Sequence, residues 1–280
     1  MSGSSDGGVA FVLGGGGILG STQVGMLQAL LERGVRPELI VGTSVGALNG
    51  ALIAAEPSLA SVDRLSEVWT SLSDSGVFSS SVFSQAARLA RHRTHLHSAE
   101  PLRALLEQQL PVRLIEDLPV AFQTVAASIE RASAHWFSTG PIADAVLASC
   151  AVPGLLPPAQ VGDEHFLDGG LVDSIPVGRA VAMGMSEIYV LHVGRIEQPL
   201  SPPRWPWQVG LVAFEIARRH RFVEDLASVP ADVRVHLLPS GAPDTPGVSV
   251  RYRNTSRVLE RIERAHQASG DYLDRVDQHR

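Results

Sequence analysis

Three short stretches hold the residues whose types and spacing could do chemistry. Gly42-Thr43-Ser44-Val45-Gly46 has the G-x-S-x-G spacing of a nucleophile elbow. In such a turn a strand ends, a helix begins, and the serine hydroxyl is pushed clear of the sheet. Glycines two before and two after remove side chains that would clash with the strained serine. Leu13-Gly14-Gly15-Gly16-Gly17-Ile18-Leu19-Gly20 offers backbone N–H groups to a developing oxyanion. Phe166-Leu167-Asp168-Gly169-Gly170 puts a carboxylate ahead of two flexible residues. Together the three stretches predict a serine hydrolase.

Each stretch also has a plainer reading. A Gly-Thr-Ser-Val-Gly turn can end a strand and do nothing more. Its flanks favour the elbow: Leu39-Ile-Val-Gly-Thr-Ser44 runs into the serine as a strand, and Val45-Gly-Ala-Leu-Asn-Gly-Ala-Leu52 leaves it as a helix. That helix N-terminus adds free amides and partial positive charge where an oxyanion would form. Gly15-x-Gly17-x-x-Gly20 also fits a dinucleotide fingerprint, which wants an acid at the end of the second strand. Glu38 begins that strand instead, and Gly42-Thr43-Ser44 ends it. A Walker A loop is excluded by the missing Gly-Lys-Ser/Thr. Asp168 alone could be a turn aspartate, since Asp-Gly is a common turn pair.

The histidines decide what could serve as base. A Ser-His-Asp hydrolase needs a loop histidine after the acid. His192 falls within the strand-like run Ile188-Tyr-Val-Leu-His-Val193, His220 and His266 fall on predicted helices, and His236 on a predicted strand. The elbow also comes after only one strand–helix unit, where an α/β-hydrolase has several strands. Both facts point to a serine activated by aspartate without histidine. A Ser-His-Asp esterase is the alternative.

The elements that must position these groups alternate between strand and helix. Val9 to Leu13 reads as a strand. Ile18 to Arg33 reads as a helix with Leu19, Gln23, Met26, Leu27, Leu30 and Leu31 at core spacing, Gly34 as its C-cap and Pro37 beyond. Glu38 to Val41 is a strand. In the helix Val45 to Ala55, Gly46, Gly50 and Ala54 share a face that can lie close to a sheet. Helices follow at 62–72 and 101–109, and paired strands at 121–130 and 134–138. Then come a helix at 141–149, a strand at 165–168, a helix at 176–183, a strand at 187–193, a helix at 208–226, a strand at 233–238 and a helix at 255–273. This order predicts an α/β fold with a central, mostly parallel sheet covered on both faces. Gln198 to Pro206 is Pro-rich and reads as a connection within one domain spanning 8–280, after a flexible start at 1–7. Ser73 to Ser98 is Ser-rich and then basic. Val82, Phe83, Ala86 and Ala90 oppose Arg88, Arg91 and Arg93 there, which suggests a lid or an interfacial segment.

Composition narrows the classes further. The chain has 280 residues, 45% hydrophobic and 19% charged, as an ordinary globular protein has. Its formal charge of -6 gives no electrostatic reason to bind nucleic acid. The single Cys150 excludes an internal disulfide. The N-terminus has neither the basic nor the apolar region of a secretory signal, and no apolar run reaches membrane-span length. A cytoplasmic or peripherally membrane-bound protein is the expectation. Cys150-Ala-Val-Pro-Gly-Leu-Leu-Pro-Pro158 reads as either buried core or the wall of an acyl pocket. Trp205-Pro206-Trp207, beside Leu211, Val212 and Phe214, reads as a core or subunit contact, with a membrane interface as the second reading.

The three motifs, in this order, resemble the patatin-like phospholipases, lipid acyl hydrolases with a Ser–Asp dyad. Their G-G-G-x-[R/K]-G loop is similar to Gly15-Gly16-Gly17-Ile18-Leu19-Gly20, their G-x-S-x-G to Gly42–Gly46, and their D-G-[G/A] to Asp168-Gly169-Gly170. Gly25-Met-Leu-Gln-Ala-Leu30, Ala148-Ser-Cys-Ala-Val-Pro-Gly-Leu-Leu-Pro157 and Asp168-Gly-Gly-Leu-Val-Asp-Ser-Ile-Pro176 extend the similarity, which runs from about Val9 to Val177. The resemblance implies a three-layer α/β/α fold, Ser44 as nucleophile and Asp168 as base. It also implies an oxyanion hole from the amides of Gly15, Gly16, Gly17 and Val45, no metal or cofactor, and a lipid or ester substrate. One departure stands out: Leu19 occupies the place of the family's usual basic residue. A catalytically weak scaffold is the reading that this departure leaves open.

Overall fold

The computed structural model describes residues 7–74, 97–193, 200–241 and 255–278. Its centre is an eight-stranded sheet formed by β1 Val9–Leu13, β2 Leu39–Thr43, β3 Ala121–Ser128, β4 Ser133–Phe137, β5 Ala159–Val161, β6 Glu164–Asp168, β7 Glu187–Leu191 and β8 Arg234–Leu237. The strand order is β5-β6-β3-β2-β1-β7-β8, with β4 also paired to β3. Strands β3, β2, β1, β7 and β8 run parallel, and the β4, β5 and β6 pairings are antiparallel.

Side chains alternate across the sheet with period two, so the central strands feed two cores. Phe11, Leu13, Ile40, Tyr189 and Leu191 join one cluster. Helices α1 Ser21–Glu32, α2 Val45–Ala55, α3 Leu59–Asp74, α4 Glu100–Gln109, α5 Ile142–Ser149 and α8 Thr255–Gln278 cover that face. Ala10, Val12, Leu39, Val41, Ile188 and Val190 join the other cluster, under α6 Val177–Ala182 and α7 Pro206–Ala227. The result is the three-layer α/β/α sandwich. Among the described residues, no helix is long and apolar enough to cross a membrane.

Several boundaries differ from the sequence expectation. The first helix opens as a 3-10 turn at Gly17–Gly20, where Gly17 takes φ 57°, outside the right-handed helical region. Gly34 does follow α1 in the left-handed region, at φ 73°. The short strand β5 is unforeseen, since three residues carry no periodicity. Strand β7 stops at Leu191, so His192 lies beyond its C-terminal end rather than within the strand. Segment 150–158 is not core throughout: Cys150 and Ala151 are buried, but Leu155 is 44% exposed. The proposed lid falls almost wholly on 75–96, outside the described residues, as do 198–199 of the Pro-rich connection.

Candidate active site

The parallel strands β1 and β2 deliver their C-terminal ends to one edge of the molecule, where α/β sheets bind ligands. At the end of β2, Ser44 takes φ 54° and ψ -124°, a left-handed φ that non-glycine residues seldom adopt. The chain then turns directly into α2. The turn is tight: a Cβ on Gly46 would lie 2.1 Å from the Leu13 carbonyl oxygen, and one on Gly42 would lie 2.4 Å from the Gly46 carbonyl oxygen. Only glycine fits either place.

The base arrives by sheet register. Strand β3 pairs with β4 along one edge, so β2 and β6 must share the other. Thr43 pairs with Val125, and Asp168 pairs with Ala126, the next residue along. β2 runs up this edge and β6 runs down it, so their C-terminal ends meet. Ser44 Oγ donates to Asp168 Oδ2 at 2.6 Å, and both residues are buried. The Gly170 amide donates to Asp168 Oδ1 at 2.7 Å. A Cβ on Gly169 would strike the Val125 carbonyl oxygen at 2.1 Å, so the residue after the base also has to be glycine. Burial pushes Asp168 up to about 6, while the bonds from Ser44 and Gly170 hold the shift back.

The glycine-rich loop lies against the nucleophile. A Cβ on Gly15 would be 3.3 Å from Ser44 Cβ. The Gly15 amide donates to the Ser174 carbonyl at 2.9 Å, which removes Gly15 from the expected oxyanion donors. Gly16, at the head of the 3-10 turn, Gly17, its first residue, and Val45, the first residue of α2, have no backbone acceptor among the described residues. Gly20 packs close to Val45 and Trp69, where a Cβ would meet side-chain atoms at 2.2 and 2.6 Å.

A polar network beneath the loop escaped the sequence reading. Gln23, placed there among core positions, donates through Nε2 to the Gly14 carbonyl at 2.8 Å and the Leu191 carbonyl at 2.9 Å. Asn49 Nδ2 donates to Gln23 Oε1 at 2.8 Å, and Trp69 Nε1 donates to Asn49 Oδ1 at 3.0 Å. Their signal was a polar residue on an otherwise apolar helix face, a pattern that demands partners once buried. Ser149 was also missed, and its hydroxyl accepts the Ser44 amide at 2.8 Å.

Two further ionisable groups surround the dyad. Burial pushes the Cys150 thiol well above its usual range; Asp168 adds to the shift and Ser44 offsets part of it. Asp173, five residues after the base, is pushed up to about 7 by burial and by Asp225, with Arg221 opposing. Its backbone carbonyl accepts the Thr43 hydroxyl at 2.9 Å. The arrangement suits acyl transfer: a strained hydroxyl, a carboxylate in hydrogen-bond contact with it, and beside it amides without a partner among the described residues.

Known proteins similar to this chain share a family. The family model for patatin-like phospholipases matches residues 11–181. Patatin-like phospholipase domain-containing protein 7 of Rattus norvegicus is 31% identical over 188 residues, covering 66% of this chain and 14% of that protein. Lysophospholipase NTE1 of Candida glabrata is 32% identical over 197 residues, covering 68% of this chain and 11% of that protein. The uncharacterized NTE family protein Mb1092c of Mycobacterium bovis is 32% identical over 190 residues, covering 63% of this chain and 46% of that protein. The chain thus spans less than half the length of each of these relatives. Among solved structures, VipD from Legionella pneumophila aligns with a TM-score of 0.46 at 14% identity, covering 96% of this chain and 66% of that one.

Proposed function

The chain belongs to the patatin-like phospholipase family, and from that premise we propose that it is a serine lipid acyl hydrolase using Ser44 and Asp168. The observation that carries the reading is the 2.6 Å bond from Ser44 Oγ to Asp168 Oδ2 at a left-handed serine heading a helix. Asp168 accepts the Ser44 proton as Oγ attacks an ester carbonyl. The amides of Gly16, Gly17 and Val45 receive the oxyanion, each such donor typically lowering the barrier by roughly 3 kcal/mol. Asp168 then protonates the leaving alcohol, and later takes a proton from the water that hydrolyses the acyl-enzyme.

The surroundings support an apolar acyl group. Leu155 and Leu171 stand 44% and 37% exposed on the segments that follow Cys150 and Asp168. A peripheral contact with lipid fits α7, where Val209, Ile216 and Val223 are each more than half exposed and repeat at heptad spacing, beside exposed Trp205. Reaction with a fluorophosphonate probe, followed by an ester panel varied in chain length and headgroup, tests the reading. Ser44 should be the labelled residue, Ser44→Ala should abolish both signals, and long-chain lipid esters should be preferred. Labelling that survives in Ser44→Ala overturns it.

A further inference from the structure

Arg218 is a buried cation that the dyad does not use. It projects from α7, and its side chain is 6% exposed. Nη1 donates to the Gly15 carbonyl at 3.1 Å, and Nη2 pairs with Glu215 Oε2, also at 3.1 Å. Nε is buried with no hydrogen-bond partner among the described residues. Burying a guanidinium with an incomplete set of partners is costly unless its position serves a purpose. The partner it does hold is informative: the Gly15 carbonyl belongs to the same peptide unit as the Gly16 N–H. In a trans peptide these two groups point in opposite directions. Fixing the carbonyl toward Arg218 therefore fixes where the Gly16 N–H points.

The neighbouring peptide is held by different means. The Gly14 carbonyl accepts from Gln23, and the Gly15 amide donates to the Ser174 carbonyl. The Gly14–Gly15 plane is thus clamped at both ends, and among the described residues the Gly15–Gly16 plane is held only through its carbonyl. Glycine has no side chain to restrict it, so without Arg218 that plane is free to rotate.

We infer that Arg218 is the positioning residue of the oxyanion loop, aiming the Gly16 amide and polarising it through the Gly15 carbonyl. A hydrogen bond from a cation withdraws electron density from the carbonyl and strengthens the N–H of the same unit as a donor. The positive charge is supplied from α7, whereas position 19 within the loop is the neutral Leu19. The inference rests on the Ser44–Asp168 reading above.

The test compares wild type, Arg218→Gln, Arg218→Lys and Arg218→Ala by steady-state hydrolysis of one soluble ester, with thermal midpoints recorded. Wild-type turnover that disappears in Ser44→Ala is the entry condition, and its absence defeats the dyad reading rather than this one. Given turnover, Arg218→Gln should lower kcat by about 10- to 100-fold with KM nearly unchanged, a smaller loss than deleting an oxyanion donor outright. Arg218→Lys keeps the charge but cannot span Gly15 and Glu215 together, and should fall between. Added guanidinium ion should restore part of the kcat of Arg218→Ala and none of that lost in Ser44→Ala, an effect that a purely structural arginine would not give. Should Arg218→Gln fail to fold, Arg218→Lys decides. Wild-type kcat in the folded variant that decides, or a raised KM at constant kcat, overturns the inference.

Discussion

Ser44 and Asp168 approach each other along a single edge of β3, Thr43 against Val125 and Asp168 against Ala126. Ladder hydrogen bonds rather than a loop therefore set their separation, and the 2.6 Å contact is preorganised before substrate arrives. Replacing the base while keeping its shape isolates its proton chemistry. Asp168→Asn can still accept from Gly170, so the ladder and the turn should persist. Loss of a general base should lower kcat by roughly 10²- to 10⁴-fold. Equal kcat for wild type and a folded Asp168→Asn removes Asp168 from the mechanism.

Only the carboxylate form of Asp168 can take the serine proton. With burial holding it at about 6, turnover should rise with pH through that region and level off above it. The rate of covalent labelling at Ser44 should follow the same curve, because it needs the same deprotonation. A labelling profile flat from pH 5 to 8 contradicts this.

Stability should move the opposite way. The folded-state value of about 6 lies above the ordinary 3.8, so between these values the folded state binds more protons than the unfolded one. Stability then falls as pH rises through that window, and above it the cost settles at about 3 kcal/mol. Asp168→Asn removes the buried charge. Its Tm should exceed that of wild type at pH 8 and lose this advantage at pH 4. Asp173→Asn should behave alike with a window extending to about pH 7, since burial and Asp225 raise Asp173 further. A Tm difference independent of pH in both variants refutes the linkage.

Glycine substitutions should divide by what a Cβ meets. At Gly46 it meets backbone, the Leu13 carbonyl at 2.1 Å, which cannot rotate away. Gly46→Ala should cost about 3 kcal/mol or more, or yield insoluble protein. Gly154 has φ 77° and nothing within 4 Å of a built Cβ. Gly154→Ala should cost only the left-handed backbone penalty, roughly 1–2 kcal/mol. Equal losses of Tm for the two variants are the outcome that rules out a steric cause at Gly46.

The local chemistry was legible because it is written in contiguous residues. Gly42, Ser44 and Gly46 specify a strand-to-helix turn, and Asp168-Gly169-Gly170 specifies a carboxylate on a tight return. Long-range partners were not legible in the same way. Arg218 meets Gly15 across 203 positions, and Gln23 meets the Leu191 carbonyl across 168. Nothing near either residue in sequence announces its partner. The family resemblance includes the Gly15 amide among the oxyanion donors. Only the fold shows Ser174 opposite it. His192 was placed inside a strand because Leu191 and Val193 continue the apolar run. The ladder with β1 ends at Leu191, opposite Leu13.

That position makes His192 the histidine to test most closely. It follows β7 at the sheet edge that bears the dyad, and a Cβ on Gly14 would lie 3.7 Å from its Cα. His236 stacks on Tyr189 with ring centres 4.7 Å apart and approaches Glu187, the first residue of β7, at 3.2 Å. His266 Nε2 lies 2.6 Å from Glu32, and His220 stands exposed on α7 near Glu224. A triad would need an imidazole between the serine and the carboxylate. Here Asp168 Oδ2 itself accepts the hydrogen bond from Ser44 Oγ, which leaves no place for an intermediate ring. His192→Asn, His220→Gln, His236→Gln and His266→Gln should therefore each retain most of the wild-type kcat. His236→Gln should lose thermal stability, because the residue is 7% exposed and its ring is tied to Glu187 and Tyr189. If His192→Asn were well folded and as inactive as Ser44→Ala, the base would be the imidazole, and Asp168 would be reduced to orienting it.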